Sequence, residues 1–260
     1  MHTKEKGYKE VNGIQLYYEV YGEGEPLVLI HGGGSSGFFD FEETIKRLYN
    51  RFMLIVPDLQ NHGRSGQRSI PETFDQDAKD VIELLKQLGI TKASFLGFSN
   101  GATTTLHIAG SFPDRVHKII VASGICKRSG LFEGFFEMMD NATIDMMPEY
   151  LKQNFLELNP DPALLQNMFE KDNKRMLHFE DITDAFLSSI NTPAFIIGGD
   201  KDVMSTKHLA EMAAIIPEAR LLILPTGHGT YMMADENGKK DPALIDFTVN
   251  QIEKFFFGQF

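Results

Sequence analysis

The sequence predicts an α/β fold: a mainly parallel central sheet flanked by helices and interrupted, past its middle, by a wholly helical insertion. Three observations carry this. Short apolar runs of strand length alternate with longer stretches in which apolar residues recur at helical spacing. Runs such as Leu27-Val28-Leu29-Ile30 are continuously apolar, as strands covered on both faces must be. From about Ser123 to Ile190 the alternation stops and no strand pattern appears.

The chain begins with two strands, Tyr8 to Asn12 and Ile14 to Tyr21, around the tight-turn pair Asn12-Gly13. Gly22 to Pro26 breaks the pattern before the buried-type strand Leu27 to Ile30. A glycine loop and a helix-compatible stretch follow, then the strand Phe52 to Pro57. From Phe74 to Leu88 apolar residues fall on one helical stripe, closed by Gly89. Ala93 to Leu96 is a strand, Gly97 to Gly101 a sharp turn, Ala102 to Gly110 a helix, and His117 to Ala122 the next strand. The insertion carries the helical segments Leu131 to Met139, Ile144 to Phe155 and Ala163 to Phe179, punctuated by Pro148, Pro160 and Pro162. The sheet resumes at Pro193 to Gly199, followed by a helix at Ser205 to Ile216, a last strand at Arg220 to Leu224, and a final helix at Ala243 to Phe257 behind Asp241-Pro242. Residues 1–122 and 191–260 are thus expected to form the core, and residues 123–190 the insertion.

Composition bounds the function. With 260 residues, 42% hydrophobic and 23% charged, the chain suits one large globular domain, or one core with an insertion. A net charge of −11 repels phosphate backbones and anionic headgroups, so neither nucleic acid nor membrane is an expected partner. Cys126 is the only cysteine and has no intrachain partner, and no Cys/His pair stands at metal-ligand spacing. The stretch Met1 to Gly7 lacks the apolar core of a signal peptide, so a cytoplasmic protein acting on a small molecule is the expectation.

Two motifs carry chemistry. Gly97-Phe98-Ser99-Asn100-Gly101 stands between a strand and a helix, where Ser99 must adopt a strained backbone and the flanking glycines let neighbouring elements approach. His31-Gly32-Gly33-Gly34 follows an early strand. Its glycines have two readings: Gly32, Gly34 and Gly37, with Asp58 about 20 residues on, match a dinucleotide-binding loop, whereas the Gly33 N–H beside a nucleophile would stabilise an oxyanion. A serine nucleophile needs a base, and among the eight histidines only His228 lies in a glycine-flanked loop after the last strand.

The elbow at Ser99, the glycine loop at His31, the segment Asp58 to Ser65 and the late acid and histidine together resemble the α/β-hydrolase family over nearly the whole chain. The resemblance implies an α/β-hydrolase fold with a helical cap and a serine hydrolase needing no metal or organic cofactor. Ser99 would be the nucleophile, His228 the base, and the N–H groups of Gly33 and Asn100 the oxyanion donors. The family pattern Gly-x-x-Asp selects Asp202 as the acid, counting from Gly199, with Asp200 as the competitor. The segment Asp58 to Ser65, including His62, is expected to be structural. Carboxylic-ester hydrolysis of a small or medium apolar acyl substrate is the activity implied, with carbon–carbon, lactone or amide hydrolysis and perhydrolysis open to the same triad. An NAD(P)-dependent oxidoreductase and a non-catalytic ligand-binding member are the remaining classes. Met138, Met139, Met146, Met147, Phe135 and Phe136 are candidates either for lining a substrate cavity or for plain packing.

Overall fold

The structure, a computed structural model, describes residues 2–259. Met1 and Phe260, the outer ends of the expected core segments, lie outside the described residues.

Strands β1 (Thr3–Val11) and β2 (Ile14–Tyr21) form the antiparallel hairpin, with Asn12 and Gly13 both at positive φ, 45° and 89°. That is the geometry an Asn-Gly turn supplies without strain. The first strand starts five residues ahead of Tyr8, because its exposed, charged N-terminal half is held by backbone pairing to β2 and shows no apolar pattern. Strands β3 (Glu25–Ile30), β4 (Phe52–Pro57), β5 (Ala93–Phe98), β6 (Val116–Ala122), β7 (Ala194–Gly199) and β8 (Ala219–Leu224) complete an eight-stranded sheet of order β1-β2-β4-β3-β5-β6-β7-β8. From β4 to β8 every pairing is parallel.

Because side chains alternate across a strand, the apolar runs feed two cores. Val28, Ile30, Phe95, Ile119, Val121 and Ile196 point to one face, covered by helices α2 (Phe74–Gln87), α3 (Asn100–Ser111) and α8 (Thr206–Ile215). Leu27, Leu29, Leu96, Ile120, Phe195 and Ile197 point to the other, covered by α1 (Gly37–Leu48) and α9 (Pro242–Phe256). All four side chains of Leu27 to Ile30 are fully buried, each contributing roughly 1.5–3 kcal/mol relative to exposure.

Between β6 and β7 the chain forms α4 (Phe135–Asp140), α5 (Glu149–Leu158), α6 (Pro162–Leu177) and the short α7 (Asp184–Ser188). Met147, Phe155, Leu165 and Met168 give this segment a small core of its own. Two predicted helices are shorter than their apolar spacing implied. Leu131 pairs with Met204 as an isolated β-bridge, so α4 starts only at Phe135. Pro148, which cannot continue a helix from the preceding turn, separates a single 3-10 turn at Ile144–Met146 from α5. The parallel pairing places the ends of β3, β5, β6, β7 and β8 on one edge, and α4 to α6 lie over it.

Candidate active site

Ser99 stands between the last residue of β5 and the first of α3, at φ 53° and ψ −119°. A non-glycine residue holds such a conformation only where its surroundings over-determine it. Here the Ser99 N–H is tied to the Ala122 carbonyl at 2.9 Å, and the flanking glycines leave room for nothing larger. A Cβ on Gly97 would lie 2.1 Å from the Gly101 carbonyl oxygen, and one on Gly101 would lie 2.1 Å from that of Ile30.

The loop after β8 brings His228 to this turn. Its Nε2 lies 3.2 Å from Ser99 Oγ, and its Nδ1 lies 2.6 Å from Asp202 Oδ1. With Nδ1–H donating to the carboxylate, Nε2 is left to accept from the hydroxyl. The Asp202 side chain is fully buried, and its other contacts are donors as well: Val203 N–H at 2.8 Å, Gly199 N–H at 3.2 Å and the Ser123 hydroxyl. Burial works against its charge, but the bonds from His228, Ser123 and Gly199 outweigh it and hold the carboxyl below the usual aspartate range. Ser123 follows β6 at φ 49° and also bonds the buried Tyr231 hydroxyl at 2.7 Å. Asp200 is exposed, so of the two competing acids only Asp202 faces the histidine.

The glycine loop lies directly on the elbow. A Cβ on Gly32 would meet Ser99 Cβ at 3.2 Å, and one on Gly33 would meet the Asn100 side-chain nitrogen at 2.5 Å. Asn100 opens α3, so its N–H precedes the first intrahelical bond. His31 anchors the loop: Nδ1 donates to the Gly32 carbonyl at 2.7 Å, and Nε2 accepts from Leu59 N–H at 2.9 Å. Burial keeps this ring neutral, pushing it down to about 3. The dinucleotide reading does not fit this loop. Asp58 is buried and accepts from the N–H groups of Gly37 and Arg64, so it is not presented to a ribose, and the Gly34 N–H is spent on the carboxylate of Asp172.

A cavity of about 340 Å³ extends from Ser99, His228 and Gly33 beneath the helical segment. Its walls are mainly apolar, with Phe135, Met138, Met139, Met146 and Met147 among them, while Asp172 and Asn173 also face it. Phe136 instead lies under the guanidinium of Arg128, 3.4 Å from ring centre to Cζ. A second, more polar cleft, passing Phe39, Tyr150 and Asn154, also reaches Ser99 and His228. Among the described residues no group of three or more His, Cys, Asp or Glu could hold a metal ion, and no helix is long and apolar enough to cross a membrane.

Residues 25–158, just over half of the chain, match the model of the alpha/beta hydrolase fold. The chain belongs to the α/β hydrolase family. This α/β hydrolase is 29% identical over 246 residues to the human serine hydrolase BPHL, an alignment covering 88% of this chain and 82% of that one. It is 26% identical over 235 residues to a putative carbamate hydrolase, RutD, of Azorhizobium caulinodans, covering 82% and 88%. Among solved structures, a meta-cleavage product hydrolase from Pseudomonas fluorescens IP01 superposes with a TM-score of 0.80 at 19% identity, over 99% of each chain. The enol-lactonase from Burkholderia xenovorans LB400 does so at 0.77 and 19% identity, over 96% of this hydrolase and all of that chain. At such identities these superpositions speak for the fold alone.

Four residues at the site carry no signal in sequence. Ser123, directly after β6, bonds Asp202, and Tyr231, in the loop beyond His228, bonds Ser123. Asp172 and Arg175, three apart on α6, read as an ordinary surface pair, yet Arg175 is buried and Asp172 reaches the glycine loop.

Proposed function

We propose that this α/β hydrolase is a serine esterase that cleaves carboxylic esters of small or medium apolar acyl groups through an acyl-enzyme. The observation that carries the reading is the relay Asp202–His228–Ser99, at 2.6 and 3.2 Å, opening on an apolar cavity. Ser99 Oγ attacks the ester carbonyl carbon while His228 Nε2 takes its proton, and the buried Asp202 carboxylate stabilises the resulting imidazolium. The carbonyl oxygen becomes an oxyanion held by the N–H groups of Gly33 and Asn100, each such donor being worth on the order of 3 kcal/mol in the transition state. His228 returns the proton to the departing alkoxide. Water, deprotonated by the same ring, then attacks the acyl-enzyme and releases the acid.

Residues 123–190 act in this reading as a cap whose methionines adapt to the acyl chain. The substrate is a small molecule, bound without metal, organic cofactor, nucleic acid or membrane. The resemblance to BPHL, named a serine hydrolase, supports a serine-based reaction.

The test is exposure to a fluorophosphonate followed by intact-mass analysis, then turnover on an ester panel graded by acyl length. One adduct on the wild type, none on Ser99→Ala, and turnover of apolar acyl esters are expected. Labelling of Ser99→Ala, or an unlabelled wild type, would refute the assignment.

A further inference from the structure

Asp172 belongs to α6, yet its carboxylate reaches the glycine loop at the opposite wall of the cavity. Oδ2 accepts the Gly34 N–H at 2.6 Å and lies 2.9 Å from His62 Nε2, while Oδ1 bonds the Arg175 guanidinium. The other nitrogen of His62, Nδ1, faces the Gln60 carbonyl at 2.8 Å. Both ring nitrogens therefore face acceptors, the arrangement of an imidazolium. Although Gly34 N is also 3.1 Å from His62 Nε2, a protonated Nε2 cannot accept, so the Gly34 N–H belongs to Asp172.

The consequence falls on Gly33. On one side of it the Gly32 N–H is spent on buried Asp40 at 2.7 Å, and on the other the Gly34 N–H is spent on Asp172. A Cβ on Gly33 would stand 2.9 Å from Asp172 Oδ2, so the carboxylate lies against the glycine itself. Left alone, a carboxylate there would repel a developing oxyanion. Two buried cations, His62 and Arg175, compensate it, and Arg175 is held in turn by Asp77 at 2.7 Å with Glu72 at 3.7 Å. His62 also faces the neutral ring of His31, with ring centres 5.1 Å apart.

We propose that Asp172 is a positioning residue of the reaction: by holding the Gly34 N–H from α6, it fixes the Gly33–Gly34 peptide while His31 holds the Gly32 carbonyl, and the two together set the backbone at Gly33 that aims its own N–H at the oxyanion site. The helical segment then shapes more than the acyl pocket. Full transition-state stabilisation is available only while α6 is docked on the loop.

The inference rests on the proposed role of Ser99, and its test separates the two. Asp172→Ala, Asp172→Asn and Glu170→Gln, the last on the exposed face of the same helix, are compared with the wild type in ester turnover per fluorophosphonate-reactive site and in inhibition by an alkyl boronic acid. The boronate forms a tetrahedral adduct on the serine and so reads the oxyanion site directly. Losing the acceptor misplaces one donor, so Asp172→Ala is expected to lower kcat about 100-fold with KM within about threefold, and to weaken boronate inhibition in parallel. Asp172→Asn keeps a carbonyl for the Gly34 N–H and is expected to recover about tenfold of that loss. Glu170→Gln should match the wild type.

A kcat for Asp172→Ala within threefold of wild type, a loss confined to KM, or an unmoved boronate constant would overturn the inference while leaving Ser99 in place. An inert, unlabelled wild type would overturn both. Should Asp172→Ala not fold, Asp172→Asn decides alone: a tenfold loss in kcat with parallel weakening of the boronate supports the proposal, and wild-type values refute it.

Discussion

Replacing Asp202 by asparagine changes one atom, and the structure says why the protein cannot accommodate it. The carboxylate is met by four donors: His228 Nδ1–H and Val203 N–H at Oδ1, the Ser123 hydroxyl and Gly199 N–H at Oδ2. An amide NH2 placed at Oδ1 confronts His228 and Val203, and forces the imidazole to carry its proton on Nε2, where it can no longer accept from Ser99. Placed at Oδ2, it confronts the Gly199 N–H and turns the Ser123 hydroxyl around. In either placement the negative charge that would stabilise an imidazolium in the proposed reaction is gone. We expect kcat/KM for Asp202→Asn to fall about 10³–10⁴-fold, or about 4–5.5 kcal/mol of transition-state stabilisation. One donor left facing a donor in a buried site should also cost about 1–3 kcal/mol of folding stability. Ester turnover per folded molecule, with stability from urea unfolding, measures both. Asp200→Asn, at an exposed neighbour, is expected to match the wild type. A loss below tenfold for Asp202→Asn, or an equal loss for Asp200→Asn, would refute the reasoning.

Gly101→Ala would drive a methyl to 2.1 Å from the Ile30 carbonyl oxygen, so the elbow must separate from β3; a loss of at least about 2–3 kcal/mol in urea unfolding, together with loss of turnover, is expected. Ser123→Ala removes one donor from Asp202 and leaves the Tyr231 hydroxyl to find another; the Asp202 carboxyl should rise toward its ordinary range, and turnover should fall by about tenfold, well short of the Asp202→Asn loss. His62 predicts a pH effect on stability. Burial opposes its charge, but the carboxylate of Asp172 outweighs this and pushes it up from the ordinary histidine value of about 6.5 to about 9. A group raised on folding stabilises fully below its unfolded value and loses that contribution as pH rises through its folded one, so unfolding free energy should drop by about 3 kcal/mol between pH 6.5 and just above 9. The drop should vanish in His62→Gln, and a flat wild-type profile would refute the charged assignment.

Much of this protein was legible before any coordinates. Leu27 to Ile30 had to be a doubly covered strand, because four consecutive apolar residues have no polar face to offer. The elbow was readable because its demands are local: a strained serine needs small neighbours two residues either side, and Gly97 and Gly101 provide them. His228 stood out by its glycine-flanked loop, and the family pattern pointed to Asp202. Helix limits in the segment over the sheet edge were less legible. Apolar spacing from Leu131 cannot reveal that this residue bridges to Met204, or that Pro148 splits the following stretch.

What the sequence determined by itself is therefore what short-range physics dictates: strand and helix periods, turn chemistry, and the order along the chain of the candidate serine, acid and histidine. Only the tertiary structure decided which charges share a site. Ser123 and Asp202 are 79 positions apart, and Gly34 and Asp172 are 138 apart. On a helix, Asp172 and Arg175 look the same whether solvent or protein surrounds them, since spacing sets their mutual distance and not their dielectric. Packing of α6 against the glycine loop removes the water, and an ordinary (i, i+3) pair becomes a buried network against the loop at Ser99.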